Sequence, residues 1–262
     1  MPADMSGILA FVSDARTDIL ARERGRICVG ATVSEAETIT GCAAPGSLMR
    51  TPCAWAFDPI VDVAARRVYA QEALVRLAVD PGASLASVVD DWAQGVIQAA
   101  RYLGVATRLA IDLPQIGAHG GARVVEALLD AAQRADLPAE RLIFEIPYEG
   151  WVPGQAVARK ALADYRTAGF AVALDHFGVG YAGLGVLADF HPDIIKIDAS
   201  LVCGIGESRS KQAVVKGVLS VARDFHIELV AMGVEGSCEV SWLQAQGVSF
   251  MQGCYATTLY SA

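Results

Sequence analysis

From about residue 54 onward the apolar positions of the chain alternate between two rhythms. Short apolar runs read as buried strands over 54–61, 67–74, 108–113, 142–146, 171–174, 194–197, 228–231 and 249–251. Between them apolar residues recur at helical spacing. Leu85, Val88, Val89, Trp92, Val96, Ala99, Ala100 and Leu103 form one stripe, which Gly104 ends as a left-handed cap would. Further helices are expected over 122–134, 155–167, 211–225 and 239–246, with a helical turn near 181–189. The first two strands are joined by too few residues for a helical crossover and must run antiparallel. The remainder alternates strand and helix, which argues for a parallel sheet. The expected fold is α/β, a (β/α)8 TIM-like barrel with an antiparallel strand near its start.

Residues 1–50 break this rhythm. The charged stretch 14–26 fits one helix, while 29–47 is rich in Gly, Ala, Thr and Pro without a sustained period. We read 1–50 as an arm or small cap of unknown role and 51–262 as the barrel domain.

The length of 262 residues is that of a single barrel. Hydrophobic residues at 53% and charged residues at 19% suit strands buried on both faces. A formal net charge of −8 with dispersed Lys and Arg excludes a basic face for a polyanion, so nucleic acid is not an expected partner. The six cysteines form no C-x-x-C pair and no zinc-like Cys/His set, and read mostly as buried free thiols in a reducing compartment. Residues 8–12 are too short for a secretory core, and no run approaches the roughly 18 apolar residues of a membrane span. The expected location is cytoplasmic, with no membrane partner.

Glu72, Asp112, Glu145, Asp175, Lys196 and Gln252 each stand where an apolar run meets a polar residue. In such barrels functional groups gather at the C-terminal rim, because loops there can vary without disturbing the packed interior. One acid after a strand serves as well as a helix N-cap or a solvated loop residue. Several in register point to a shared site, and an acidic site holds a phosphate ligand when divalent cations stand between the two.

Over about residues 54–260 the chain resembles the EAL-domain family, phosphodiesterases that open cyclic di-GMP to pGpG. The resemblance is carried by Asp58-Pro59-Ile60-Val61-Asp62, Glu72-Ala73-Leu74-Val75-Arg76, the run 142–146, Asp175-His176-Phe177-Gly178-Val179-Gly180-Tyr181, the run 193–198, Gly233-Val234-Glu235 and Gln252-Gly253. It implies a first metal, Mg²⁺ or Mn²⁺, held by Glu72, Asp112, Glu145 and Asp175, with Asp112 replacing the family's Asn. It implies a second metal near Asp175, where His176 replaces an Asp and Met232 replaces a Glu. A thioether is a poor ligand for Mg²⁺ and cannot act as a general base; His176 could bind a softer cation or be a solvated loop residue. Lys196, Glu235 and Gln252 are the implied catalytic residues, and Arg76, Leu74 and Asp58 the implied ligand contacts, with Asp58 replacing a base-contacting Gln.

Three functions are compatible with these residues. The first is a degenerate member, catalytically impaired, that acts by binding cyclic di-GMP or a protein partner. The second is an active cyclic di-GMP phosphodiesterase with an altered metal preference such as Mn²⁺. The third is a ligand-independent interaction module. The resemblance also implies that the chain can form a homodimer through the loop 177–184.

Overall fold

The computed structural model describes residues 39–40, 53–77, 85–112, 121–147, 163–179, 184–189 and 191–261. The expected helix over 14–26 lies outside the described residues, as does most of the one over 155–167, of which 163–167 are helical. The strands are β1 (Ile39–Thr40), β2 (Cys53–Asp62), β3 (Arg67–Leu77), β4 (Arg108–Asp112), β5 (Leu142–Pro147), β6 (Ala171–Phe177), β7 (Ile194–Ile197), β8 (Glu228–Ala231) and β9 (Phe250–Gln252). The helices are α1 (Leu85–Tyr102), α2 (Gly121–Arg134), α3 (Gly185–Asp189), α4 (Ala199–Val202), α5 (Arg209–Asp224), α6 (Ser237–Ala245) and α7 (Cys254–Ser261). None is long and apolar enough to cross a membrane.

The strands follow one another in chain order, and β2 also pairs with β9, which closes β2 to β9 into an eight-stranded barrel. The closing pair is antiparallel, with Ile60 opposite Gln252, whereas β4 through β9 pair in parallel. Val63–Arg66 turn the chain from β2 into β3, and Asp62 Oδ1 accepts from Ala65 N at 3.1 Å. So short a link reverses the chain, which places the antiparallel strand where the sequence put it.

The chain divides into two compact units. The first comprises Met1–Phe57, Ala73–Val105 and Leu113–Pro138. It contains α1 and α2, whose sides are bridged by Arg123 Nη2 at 2.6 Å from Asp90 Oδ1. The second comprises Asp58–Glu72, Ala106–Asp112 and Ala139–Ala262. Ile60, Ala70, Ala110, Ile143, Ala173, Ile194 and Val230, one from each of β2 to β8, form its buried layer, with Phe250 of β9 packed against them. At the N-terminal ends of the strands Arg108 Nη1 donates to Tyr69 Oη at 2.6 Å, Tyr69 donates in turn to Glu228, and the Tyr69 ring stacks on Phe250 at 4.1 Å.

The helices α4 and α7 were not expected, and two expectations are corrected. The strand expected over 171–174 runs on to Phe177, so Asp175 and His176 lie within it. The expected burial of the cysteines is corrected for Cys203, Cys238 and Cys254, which are exposed on or beside helices rather than packed among strands.

Candidate functional site

Side chains two apart on a strand share a face. Two residues beyond the buried layer, toward the C-terminal rim, the strands therefore present Glu72, Asp112, Glu145, Asp175, Lys196 and Gln252, antiparallel β2 presents Asp58, and Met232 directly follows the end of β8. This next layer contains five acids, one lysine, one amide and one thioether, all within the second unit. Six of the eight, Glu72, Glu145, Asp175, Lys196, Met232 and Gln252, are buried.

Lys196 is the centre of the layer. Its Nζ lies 2.7 Å from Glu145 Oε1, 3.1 Å from Glu72 Oε2 and 3.4 Å from Asp175 Oδ1. Burial works against its ammonium, yet Asp175, Glu145, Glu72 and Asp112 outweigh it and hold the pKa well above the ordinary lysine value. Gln252 donates from Nε2 to Asp58 Oδ2 at 3.1 Å and also to Glu72 Oε2, joining the two strands nearest the barrel's seam.

Register explains why the acids meet. Asp112 sits directly opposite Glu145 across β4 and β5. Glu72, Asp112 and Glu145 each offer a carboxylate oxygen, and these three atoms lie within 4.8 Å of one another. Burial raises Asp112, assisted by the charges of Glu72 and Asp175, to about 6, and burial likewise pushes Glu145 well above the usual carboxylate range. Glu145 Oε1 faces the Lys196 ammonium at 2.7 Å, while Oε2 meets no well-directed hydrogen-bond donor among the described residues. Converging hard oxygens, raised pKa values and unsatisfied buried lone pairs suit a divalent cation such as Mg²⁺ or Mn²⁺. Such an ion would act as a Lewis acid on a phosphoryl oxygen, with Glu72, Asp112 and Glu145 holding it.

A cation takes the ionised carboxylates, so binding must release protons. Mn²⁺ affinity is expected to rise as pH increases through about 6, because Asp112 ionises there, and to go on rising until Glu145 has ionised. Asp112→Asn should remove the step near 6, which calorimetry in buffers of different ionisation enthalpy would detect. In the cation-free chain the sign reverses. The folded state holds these protons more tightly than the unfolded chain, so the contribution of Asp112 to stability falls as pH rises from about 4 through 6.

His176 is placed by an irregularity in the ladder. Leu174 pairs with Ile195 and Phe177 with Ile197, so Asp175 and His176 together oppose Lys196. Such a bulge re-aims side chains, and His176 takes φ 53°, a left-handed backbone uncommon outside glycine. Its Nδ1 lies 2.8 Å from Asp198 Oδ2 and its Nε2 3.3 Å from Asp175 Oδ2. The hydrogen bond from His176 holds the Asp198 carboxyl well below the usual range, and Asp198 also caps α4 by accepting from Ser200 N at 2.8 Å.

Leu74, Arg76 and Glu235 are the remaining sequence candidates. Leu74 is half-buried on β3, and the backbone of Arg76 lies on the same strand while its side chain is outside the described residues. Glu235 is exposed in the loop after β8. That loop is secured by Glu239, which the sequence did not single out. Its Oε2 accepts from Glu235 N at 2.7 Å and Gly236 N at 3.1 Å, and its Oε1 from Gly204 N at 2.7 Å. The only signal was its place at the third position of α6, where a Glu caps the preceding backbone. Asp198 was also missed, although it follows Lys196 by two residues.

Gly253 shows why Gln252 is followed by glycine. It has φ 140°, and a Cβ there would stand 2.5 Å from Val234 N, whose N–H donates to Gln252 O. The close approach of the two loops leaves room for no side chain.

A family model described as the EAL domain matches residues 48–258. The blue light- and temperature-regulated antirepressor BluF of Escherichia coli K12 is 30% identical over 212 residues, covering 76% of this chain and 52% of that protein. This chain thus spans about half the length of that relative. Among solved structures, the c-di-GMP bound form of a standalone EAL protein from Vibrio cholerae is 32% identical with a TM-score of 0.68, covering 76% of this chain and 88% of that one. A manganese/cy-diGMP complex of Klebsiella pneumoniae BlrP1 is 33% identical with a TM-score of 0.70, covering 80% of this chain and 55% of that one. The eight-stranded barrel, its ring of rim acids and these matches agree: the chain belongs to the EAL domain family.

Proposed function

We propose that this chain binds cyclic di-GMP at the C-terminal rim of its barrel, with one Mg²⁺ or Mn²⁺ on Glu72, Asp112 and Glu145, and that its hydrolytic activity is absent or very weak. The observation that carries the reading is the three-carboxylate cluster, with Glu72 and Glu145 buried and Asp112 half-buried, in which Glu145 Oε2 lacks a directed donor. The solved relatives described as manganese and cyclic di-GMP complexes support both ligands. Asp175 shares the Lys196 ammonium with Glu72 and Glu145, and the family resemblance assigns Arg76, Leu74 and Asp58 to the nucleotide.

Impaired catalysis follows from the layer's composition. Met232 is buried between the positions of Lys196 and Gln252, and a thioether there neither accepts a proton from water nor holds a hard cation. Lys196, Gln252 and Glu235 can hold and polarise a ligand without completing the reaction. Signalling by binding also suits a relative named as an antirepressor, and a protein partner or a second copy of the chain is the proposed recipient of the signal. The second reading, an active phosphodiesterase with altered metal preference, is favoured by the intact Lys196 and acid cluster.

Calorimetric titration of cyclic di-GMP with Mn²⁺ and with EDTA, alongside chromatographic detection of pGpG, separates the two. The expected result is cation-dependent binding with turnover far below about one per second, the low end for ordinary enzymes. Turnover in the ordinary range would establish the second reading, and no binding with Mn²⁺ would reject both.

A further inference from the structure

Two carboxylates at the rim converge on one imidazole. Asp198 Oδ2 lies 2.8 Å from His176 Nδ1 and Asp175 Oδ2 lies 3.3 Å from His176 Nε2, while the two acid side chains are only 13% and 5% exposed. Largely buried carboxylates facing one small space repel each other unless a donor or a cation lies between them. The chain puts a ring there, and does so through a bulge and a left-handed residue rather than by ordinary strand geometry.

Asp175 connects this arrangement to the acid cluster. Its Oδ1 faces the Lys196 ammonium, which also contacts Glu72 and Glu145, and its Oδ2 faces His176. Both oxygens of the acid nearest the cluster are thus engaged by side chains of the chain itself. An ion seeking Asp175 and Asp198 together would have to displace the ring.

We propose that the imidazole of His176 occupies a latent cation position between Asp175 and Asp198 and limits the chain to the single cation of Glu72, Asp112 and Glu145. This deepens the reading above, on which the first cation rests. The occupied position has two carboxylates ready as ligands, so removing the ring should open it even when no new ligand is supplied. Hard oxygen donors select a Mn²⁺- or Mg²⁺-class ion there.

The test counts Mn²⁺ per chain by electron paramagnetic resonance, with no nucleotide present. The wild type is expected to bind one ion. His176→Gly, whose left-handed backbone glycine adopts without strain, should bind two, and His176→Asp should bind the second more tightly. Two ions within about 4 Å, the spacing of two-metal sites, give an exchange-coupled spectrum that a single ion cannot. Adding Asp198→Asn to His176→Gly should return the count to one. Two ions in the wild type, or one ion in both His176 variants, would overturn the proposal. Because nucleotide is absent, failure here leaves cyclic di-GMP binding standing, and failed nucleotide binding leaves the ion count standing.

Discussion

Lys196→Met is expected to destabilise the cation-free protein by about 3–5 kcal/mol, the cost of breaking a buried ion pair by removing one partner. Lys196 is fully buried and its Nζ contacts Glu145, Glu72 and Asp175. A methionine fills much of the same volume, so the loss is electrostatic rather than a cavity. Three buried acids then face one another with no positive charge among them, and Asp112 adds a fourth. A cation can substitute for the ammonium. Mn²⁺ at a hundred times its dissociation constant restores about 2.7 kcal/mol by mass action, provided it binds the folded state alone. Urea denaturation of both proteins in EDTA and in Mn²⁺ measures the two effects. A loss under about 1 kcal/mol in EDTA would mean that protons, not Lys196, neutralise the layer.

The barrel was legible because its signals are local. Eight apolar runs, helical stripes between them and a link too short for a crossover pointed to the barrel, the parallel sheet and the antiparallel strand near its start. The site was legible for a related reason. Ala70, Ala110, Ile143, Ala173 and Ile194 each precede by two residues an acid or the lysine, and period-two alternation carries both onto the barrel's inner face. What escaped depends on pairing between distant segments. The bulge that lengthens β6 arises from its register with β7, and no feature of Asp175-His176 alone announces it. The contact of His176 with Asp198 spans 22 residues, and the anchoring of Gly204 by Glu239 spans 35. Exposure of Cys203, Cys238 and Cys254 escaped because cysteine composition carries no address.

Met232→Glu combined with His176→Asp is expected to raise cyclic di-GMP hydrolysis by about 10²–10⁴-fold, the usual contribution of a positioned acid or base. The glutamate would enter the interior layer between Lys196 and Gln252, the one place among eight now held by a thioether. Its charge is tolerable there because Lys196 and the cations offset it, although the double variant should be less stable without metal. The aspartate would free Asp175 and Asp198 from the imidazole and supply a further oxygen donor. Each change alone should restore far less, since a base without a second cation, or a cation without a base, leaves the attacking water inert, and groups that act as a unit are strongly non-additive. Seating of the nucleotide is the remaining requirement. Asp58 now accepts from Gln252, and Asp58→Gln would exchange a repelling carboxylate near phosphate for an amide. Production of pGpG by the single, double and triple variants under Mn²⁺ measures the outcome. If the triple variant holds two Mn²⁺ and cyclic di-GMP yet remains inert, the block on catalysis lies in the loop following Phe177 rather than in Met232 and His176.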